Sequence, residues 1–339
     1  MCELCNLIYA VFGSILLAIF TIIFGLAIKG IDRKLSARMQ WRIGPPLRQP
    51  FRDVRKLLMK ESVIPRDAVA WIYNSAPIIS LASLLTIPLF IPLGPIPAPL
   101  GNSGDIIVVL YLLIIPSIAV IIGGFSSSSP FSSVGAQREM VMLIAYELPL
   151  SMVVFTFAWR YYTLDPSLPA LSFNTFTSLP VWSVLSPVGV LGAGILLVVL
   201  LLVTSAEMAK VPFDIPEAET EIAEGVYVEY SGRNYALFYL ADAVKMFILP
   251  AIVVAIFFPY NLSPLLSQFI TMPQWLGWTV DILFFMLKVI LVSIISVTFL
   301  RTSLARLKVD QMVRIYWFHL FMAGLAGMMM VAIDATGVF

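Results

Sequence analysis

Eight long apolar runs dominate this 339-residue sequence, near 6–29, 72–93, 104–123, 139–160, 182–204, 236–258, 279–300 and 313–333. A helix that crosses a bilayer needs roughly 20 apolar residues. Lipid offers no partner for backbone N–H and C=O groups, so runs of this length are expected as helices. Only 12% of the residues are charged, against about 25% in a soluble domain. The expected fold is all-α: a polytopic membrane protein with about eight transmembrane helices, forming a single domain over 1–339. No fixed-period repeat interrupts it. The first run is too long for a signal-peptide core and has no basic lead, so it is expected as a permanent helix.

Basic residues set the orientation, because Lys and Arg stay on the cytoplasmic side. Eleven of the 21 fall between Lys29 and Arg66. Arg138, Lys210, Arg233, Arg301, Arg306, Lys308 and Arg314 follow on loops of the same side, and Arg160 stands alone on the other. Loops 30–71, 124–138, 205–235 and 301–312 are therefore expected in the cytoplasm, in a multi-pass protein of the cell membrane. The outer connections are short or rich in Pro, Ser and Thr. A net charge of +1 gives no reason to expect nucleic acid.

In the first cytoplasmic loop, Gly44-Pro45-Pro46 breaks any helix. "FRDVRKLLMKE" after it alternates apolar and basic residues as a short amphipathic interfacial helix does. It either anchors on anionic headgroups or docks a soluble partner. Arg38, Arg42, Arg48, Asp53 and Lys56 are the expected docking residues.

The third cytoplasmic loop holds "KVPFDIPEAETEIAEG" (210–225). Seven of the 20 acidic residues lie between Glu207 and Glu229. Asp214-Ile215-Pro216-Glu217 reads as a helix start with a capping box. That accounts for two carboxylates. Glu217, Glu221 and Glu224 then stack at i, i+4 and i+7, where like charges repel. Close carboxylates raise one another's pKa and titrate as a set, so the stretch is suited to taking up and passing protons. Arg38, Arg42 and Arg48 are the expected counter-charges.

Ionisable residues inside the spans are functional candidates. Glu139 and Glu147 lie within about 80° of each other on a helix. Glu139 is expected to pair with Arg138 at the membrane edge, and Glu147 to act in a relay. Asp242 and Lys245 are spaced to pair directly, as a structural bridge or as relay members. Lys288 needs a partner. Asp105, Asp281 and Asp334, near outer helix ends, are expected in solvent. His319 is a packing residue or a relay member. The Ser-rich loop "GGFSSSSPFSSVGA" (123–136) lacks the Gly-Lys-Ser/Thr of a P-loop and is expected to pack against a partner. Cys2 and Cys5 are either free or bonded to each other. With two cysteines and one histidine, four-ligand iron–sulfur and zinc sites cannot be built from this chain.

Three stretches carry a family resemblance: "ARMQWRIGPPLRQPFRDVRKLLMKE" (37–61), "GAQREMVMLIAYELPL" (135–150) and "AEMAKVPFDIPEAETEIAEGVYVEYSG" (206–232). They resemble the H-type membrane subunit of respiratory complex I, whose signature runs PFDxPEAExE…G…EYSG. Quinone-reducing members insert about eight residues after RIGP. The short Gly44-Pro45-Pro46-Leu47 form is similar to that of membrane-bound nickel–iron hydrogenases and their ferredoxin-linked relatives. The resemblance implies an acidic relay through Asp214, Glu217, Glu219, Glu221 and Glu229, and Glu147 matches an intramembrane glutamate of the family; Asp242 and Lys245 join the expected relay on their position alone. It also implies a hydrogenase-like large subunit and a small iron–sulfur subunit on the cytoplasmic side, with antiporter-like subunits in the membrane. Iron–sulfur clusters, and in the hydrogenase branch a nickel–iron centre, are then expected in those partners, and no cofactor in this chain.

The expected function is that of a membrane anchor coupling electron transfer in a docked soluble arm to proton or sodium translocation. It is not catalytic by itself. One alternative is the quinone-site subunit of an NADH- or deazaflavin-linked dehydrogenase. Another is a stand-alone secondary transporter, which usually shows internal repeats.

Overall fold

The computed structural model describes residues 3–101, 104–268 and 273–336, the first eight of them as backbone only. Cys2, the side chain of Cys5 and part of the outer loop at 269–272 lie outside that description. Eight helices are long and apolar enough to span a membrane. Among the described residues these spans are built on α1 (Glu3–Met39), α3 (Ala70–Thr86, extended by a 3-10 turn to Leu89), α4 (Asp105–Ser126), α5 (Pro130–Leu164), α8 (Pro187–Glu207), α10 (Gly232–Phe257), α12 (Gln274–Ser293, within Gln274–Ser303) and α15 (Phe321–Ala335, within Val309–Ala335). Shorter helices join them: α2 (Gln49–Met59), α6 (Phe173–Ser178), α7 (Val181–Val184), α9 (Glu219–Ile222), α11 (Ser263–Leu266), α13 (Leu300–Ser303) and α14 (Val309–Arg314). π-helical turns at Ile294–Phe299 and Ile315–Leu320 make α12–α13 and α14–α15 continuous rods. No β-strand occurs among the described residues.

α10 is the hub. It is the most enclosed span, and α1, α3, α8 and α12 pack around it. Small residues let these backbones close up. At Gly25 a side chain would strike the carbonyl of Ala243, so α1 lies directly against α10. That contact brings Lys29, one turn further on, beside Asp242.

Two spans outrun the bilayer. At 1.5 Å per residue, the 37 residues of α1 and the 35 of α5 are over 50 Å long, against a hydrocarbon core of about 30 Å. Segments of the four loops expected in the cytoplasm meet at one end of the bundle. Leu307 N donates to Pro212 O, Val69 N to Ser126 O, and Ser132 Oγ to Val226 O across that end.

Several expected boundaries move. The loop expected at 124–138 shrinks to Ser127–Ser129, because α4 runs to Ser126 and α5 starts at Pro130. Polarity suggested a loop there, but the Ser hydroxyls satisfy themselves on helical carbonyls: Ser126 on Gly123, and Ser127 and Ser132 on Gly124. The capping box at Asp214 and Glu217 does not form. Helix begins only at Glu219, behind an Ala218 N-cap, and ends after four residues. Ala223 and Glu224 then adopt positive φ, so Glu217, Glu221 and Glu224 do not stack on one face. Asp214 is held instead by Arg306, Nη2 to Oδ2 at 2.7 Å.

Candidate functional site

The charged end opens into a cavity of about 260 Å³. Its floor is Asp242 on α10. One carboxylate oxygen there meets two ammonium groups, Lys29 Nζ at 2.6 Å and Lys210 Nζ at 3.0 Å. Lys29 also stands over the Tyr239 ring, 3.4 Å from its centroid. The expected Asp242–Lys245 pair is absent. Asp242 turns to these two lysines, while Lys245 turns to Glu207 at the end of α8, 3.5 Å away.

Asp214, Glu217 and Glu219 line the same cavity. Gly225 shapes this wall: it has φ of +52°, and a side chain there would strike the carbonyl of Pro216. The enclosed Glu217 carboxyl is pushed up to about 7 by burial, against the pull of Lys210. Burial acts to lower Lys210, but Asp242 and Glu217 outweigh it and hold its ammonium above the usual range.

Two smaller cavities continue inward. Glu217 and Asp242 line both the first cavity and a second of about 50 Å³, which also exposes Glu139, Glu207, Lys245 and Ser117. Glu207 lines both the second and a third of about 30 Å³, which reaches Tyr146 and Glu147 on α5. Ser117 and Tyr146 share a hydrogen bond of 3.0 Å at this junction. A row of titratable groups therefore runs from the charged end to Glu147. Glu147 is half-buried and sits between exposed Ile144 and Leu148 on the outer face of α5.

Of the expected relay residues, Asp214, Glu217, Glu219, Asp242, Lys245 and Glu147 border this row. Glu221 and Glu229 do not. Glu221 pairs with Arg138 at 2.6 Å on the rim, and the carbonyl of Glu229 accepts from Tyr73. Two members were missed. Glu139 is buried in the second cavity, where its expected partner Arg138 points away to Glu221. Glu207 is buried with neither carboxylate oxygen accepting a hydrogen bond. The available signal was helical: positions 139 and 147 share a face, and Glu207 opens the acidic run.

The first loop divides. Arg38, Arg42, Arg48 and Lys56 are exposed. The acidic stretch draws its counter-charges from Arg138, Arg306 and Lys210 instead of Arg38, Arg42 and Arg48. Asp53 faces inward, bonded to Arg33 at 2.8 Å and to Gln49 at 2.9 Å. Asp32 ties α1 to the π-turn after α12 through Thr298 and to α13 through Arg301.

At the opposite end, three carboxylates expected in solvent are buried. Asp334 pairs with Arg160 at 2.8 Å. Asp281 accepts from Leu262 N, Ser263 N and Ser263 Oγ, and Asp105 accepts from Ser172 Oγ. Lys288 finds its partners in the carbonyls of Phe258 and Tyr260, both at 2.7 Å. His319 is exposed beside the Arg314 carbonyl. These groups lie off the row. Among the described residues no cluster of His, Cys, Asp and Glu is placed to hold a metal ion.

Comparison with known proteins agrees with this architecture. The family model described as NADH dehydrogenase matches residues 12–332. The H-type subunit of NADH-quinone oxidoreductase from Salinibacter ruber is 30% identical, covering 97% of this chain and 94% of that protein. NADH-quinone oxidoreductase subunit 8 of Rhodothermus marinus is 29% identical over 90% of this chain and 91% of its own length. Among solved structures, a chain of the membrane-bound sulfane sulfur reductase, described as an archaeal respiratory membrane complex, superposes with a TM-score of 0.79 and 26% identity. The match covers 95% of this chain and 99% of that one. The chain belongs to the NADH dehydrogenase family, in which it is the H-type, multi-pass membrane subunit of complex I-like respiratory membrane complexes.

Proposed function

We propose that this chain couples electron transfer in a docked soluble arm of the ferredoxin-linked hydrogenase type to ion movement in neighbouring membrane subunits. The charged end faces the cytoplasm, as the Lys and Arg bias requires, in the cell membrane. A proton enters the vestibule at Asp214, Glu217 and Glu219. It passes Asp242 and the Glu139–Glu207 pair and leaves through Glu147. The observation that carries this reading is the shared lining: Glu217 and Asp242 join the first cavity to the second, and Glu207 joins the second to the third.

Both ends of the row support partners. Glu147 is a half-buried carboxyl between exposed Ile144 and Leu148 on the outer face of α5, which is costly against lipid. A neighbouring membrane subunit of the antiporter-like kind covers it. At the other end, Met39 lies about 15 Å along α1 from Lys29. Beyond it stand Trp41 and Ile43, 98% and 86% exposed, amid exposed Arg38, Arg42 and Arg48. Apolar side chains so far past the first buried charge suit a soluble subunit better than the bilayer. The hydrogenase-like large subunit and the small iron–sulfur subunit, which hold the clusters, dock here.

The quinone-site reading has support from the names of the curated relatives. It fits the vestibule poorly: ten charged residues line it, whereas small-molecule sites are mostly apolar. The short Gly44-Pro45-Pro46-Leu47 connection favours the ferredoxin-linked branch.

The test is Glu147→Gln, with electron transfer, ion uptake and subunit content measured in the same membrane vesicles. An amide cannot carry the proton. The expected result is full assembly with electron transfer slowed or uncoupled from ion uptake. Full assembly with fully coupled uptake would eliminate the relay.

A further inference from the structure

The narrow part of the row lies around Lys245. Its Nζ stands 3.5 Å from Glu207, whose side chain is 1% exposed. Neither Glu207 oxygen accepts a hydrogen bond. A carboxylate so enclosed requires a cation or a proton. Three sources exist in principle: a metal ion from solution, a tethered ammonium and a proton.

Space argues against the metal ion. One water needs about 10–15 Å³ of cavity. The second cavity, about 50 Å³, and the third, about 30 Å³, are too small for a sodium ion with its full water shell. A stripped ion needs a cage of oxygens in place of that shell. At this point the place beside the carboxylate is taken by an ammonium.

The charges argue the same way. Vestibule groups pair among themselves: Asp32 with Arg301, Asp214 with Arg306, Arg33 with Asp53. Three charged groups are buried in the second cavity, the carboxyls of Glu139 and Glu207 and the ammonium of Lys245, while Asp242 beside them already holds Lys29 and Lys210. Two carboxylates less one ammonium leaves one negative charge. A single proton neutralises it and needs no room.

We infer that Lys245 makes this path select protons over Na⁺: its ammonium takes the place beside Glu207 that a metal ion would need and leaves one exchangeable proton between Glu139 and Glu207. The inference rests on the relay reading above. Any sodium moved by the whole complex would then pass through other subunits.

Infrared spectroscopy of the intact purified complex tests this. The difference between wild type and Glu207→Gln isolates the carboxylic-acid C=O band of the pair. In wild type, replacing choline by Na⁺ should leave that band unchanged. In Lys245→Ala, Na⁺ should erode it, to about half when Na⁺ reaches its binding constant there. Lys245→Arg should behave as wild type. Lys245→Gln, closer to lysine in size, serves as the second neutral variant should Lys245→Ala not assemble. A wild-type band eroded by Na⁺, or a band insensitive to Na⁺ in the neutral variants, overturns the inference. Failure of the relay reading would appear separately, as coupled ion uptake that persists in Glu207→Gln.

Discussion

Lys29 Nζ lies 2.6 Å from Asp242 Oδ2, and this contact fastens α1 to α10 at the floor of the vestibule. The same oxygen holds Lys210 at 3.0 Å, so Asp242 has a reserve. Breaking a buried ion pair costs about 3–5 kcal/mol when it strands a charge. Lys29→Met strands none, because Lys210 stays. It should cost clearly less than that and leave the complex assembled. Lys29→Met with Lys210→Met should cost far more than the two singles together. Thermal unfolding of the four forms checks this; additive losses would show that the lysines act independently.

Glu217 supplies a pH dependence. Its carboxyl titrates near 4.5 when exposed and at about 7 in the vestibule. Between those values the folded protein holds a proton that the unfolded chain has lost. The sign follows: the contribution to stability is intact below about 4.5 and is lost as pH rises through about 7. A protonated-carboxyl infrared band should fade near neutral pH and be missing in Glu217→Gln. A band that fades near 4.5 would place Glu217 in free solvent.

How much was legible in the sequence follows from what each signal measures. The eight spans were legible because length and hydropathy alone specify them. Their ends were not, since α4 and α5 continue through Ser126 and Ser132, whose hydroxyls fold back on the helix. Ion pairs read from neighbours in sequence failed for a geometric reason. Adjacent helical residues diverge by about 100°, so Arg138 reaches Glu221 while Glu139 turns inward. Lys245 and Asp242 share a helix face and could have met, but partners on other elements take them: Glu207 for Lys245, and Lys29 and Lys210 for Asp242. The acidic stretch does line the first cavity through Asp214, Glu217 and Glu219, but the helix expected from Asp214 starts only at Glu219. The positive φ at Ala223 and Glu224 has no mark in a run of good helix formers.

Gly225 should tolerate no side chain. Its φ of +52° and its packing against the Pro216 carbonyl both exclude a Cβ. Gly225→Ala should displace the loop that carries Glu217 and destabilise the protein by about 1–3 kcal/mol. Gly194→Ala, with open space around it, is the control and should be near neutral. Equal thermal stability of the two variants would contradict the assigned loop geometry.

On the proposed ferredoxin-linked reading, quinone-site inhibitors should leave the activity of the complex unchanged. Ten charged residues line the vestibule, which disfavours an apolar ring, and the short Gly44-Pro45-Pro46-Leu47 turn adds no wall. Strong inhibition together with photolabelling of this chain would restore the quinone-site reading.

Arg160 and Asp334 offer the contrast that separates a structural pair from a relay. They meet at 2.8 Å at the opposite end, with Asp334 almost fully enclosed. Asp334 also accepts from Ser186 N, so the pair fastens α15 to α5 and to the start of α8. It borders none of the three linked cavities. Asp334→Asn keeps the shape and the Ser186 bond but strands the Arg160 guanidinium, at a cost of about 3–5 kcal/mol. Less complex should assemble, and what assembles should unfold at lower temperature. Ions moved per electron should stay at the wild-type ratio, since the proposed path does not include this site. Glu207→Gln should show the reverse, with assembly kept and the ratio lost. Measuring subunit content and the ion-to-electron ratio for both variants in one vesicle preparation decides the matter. A lowered ratio in fully assembled Asp334→Asn would mean that the proton path reaches the opposite end of the bundle.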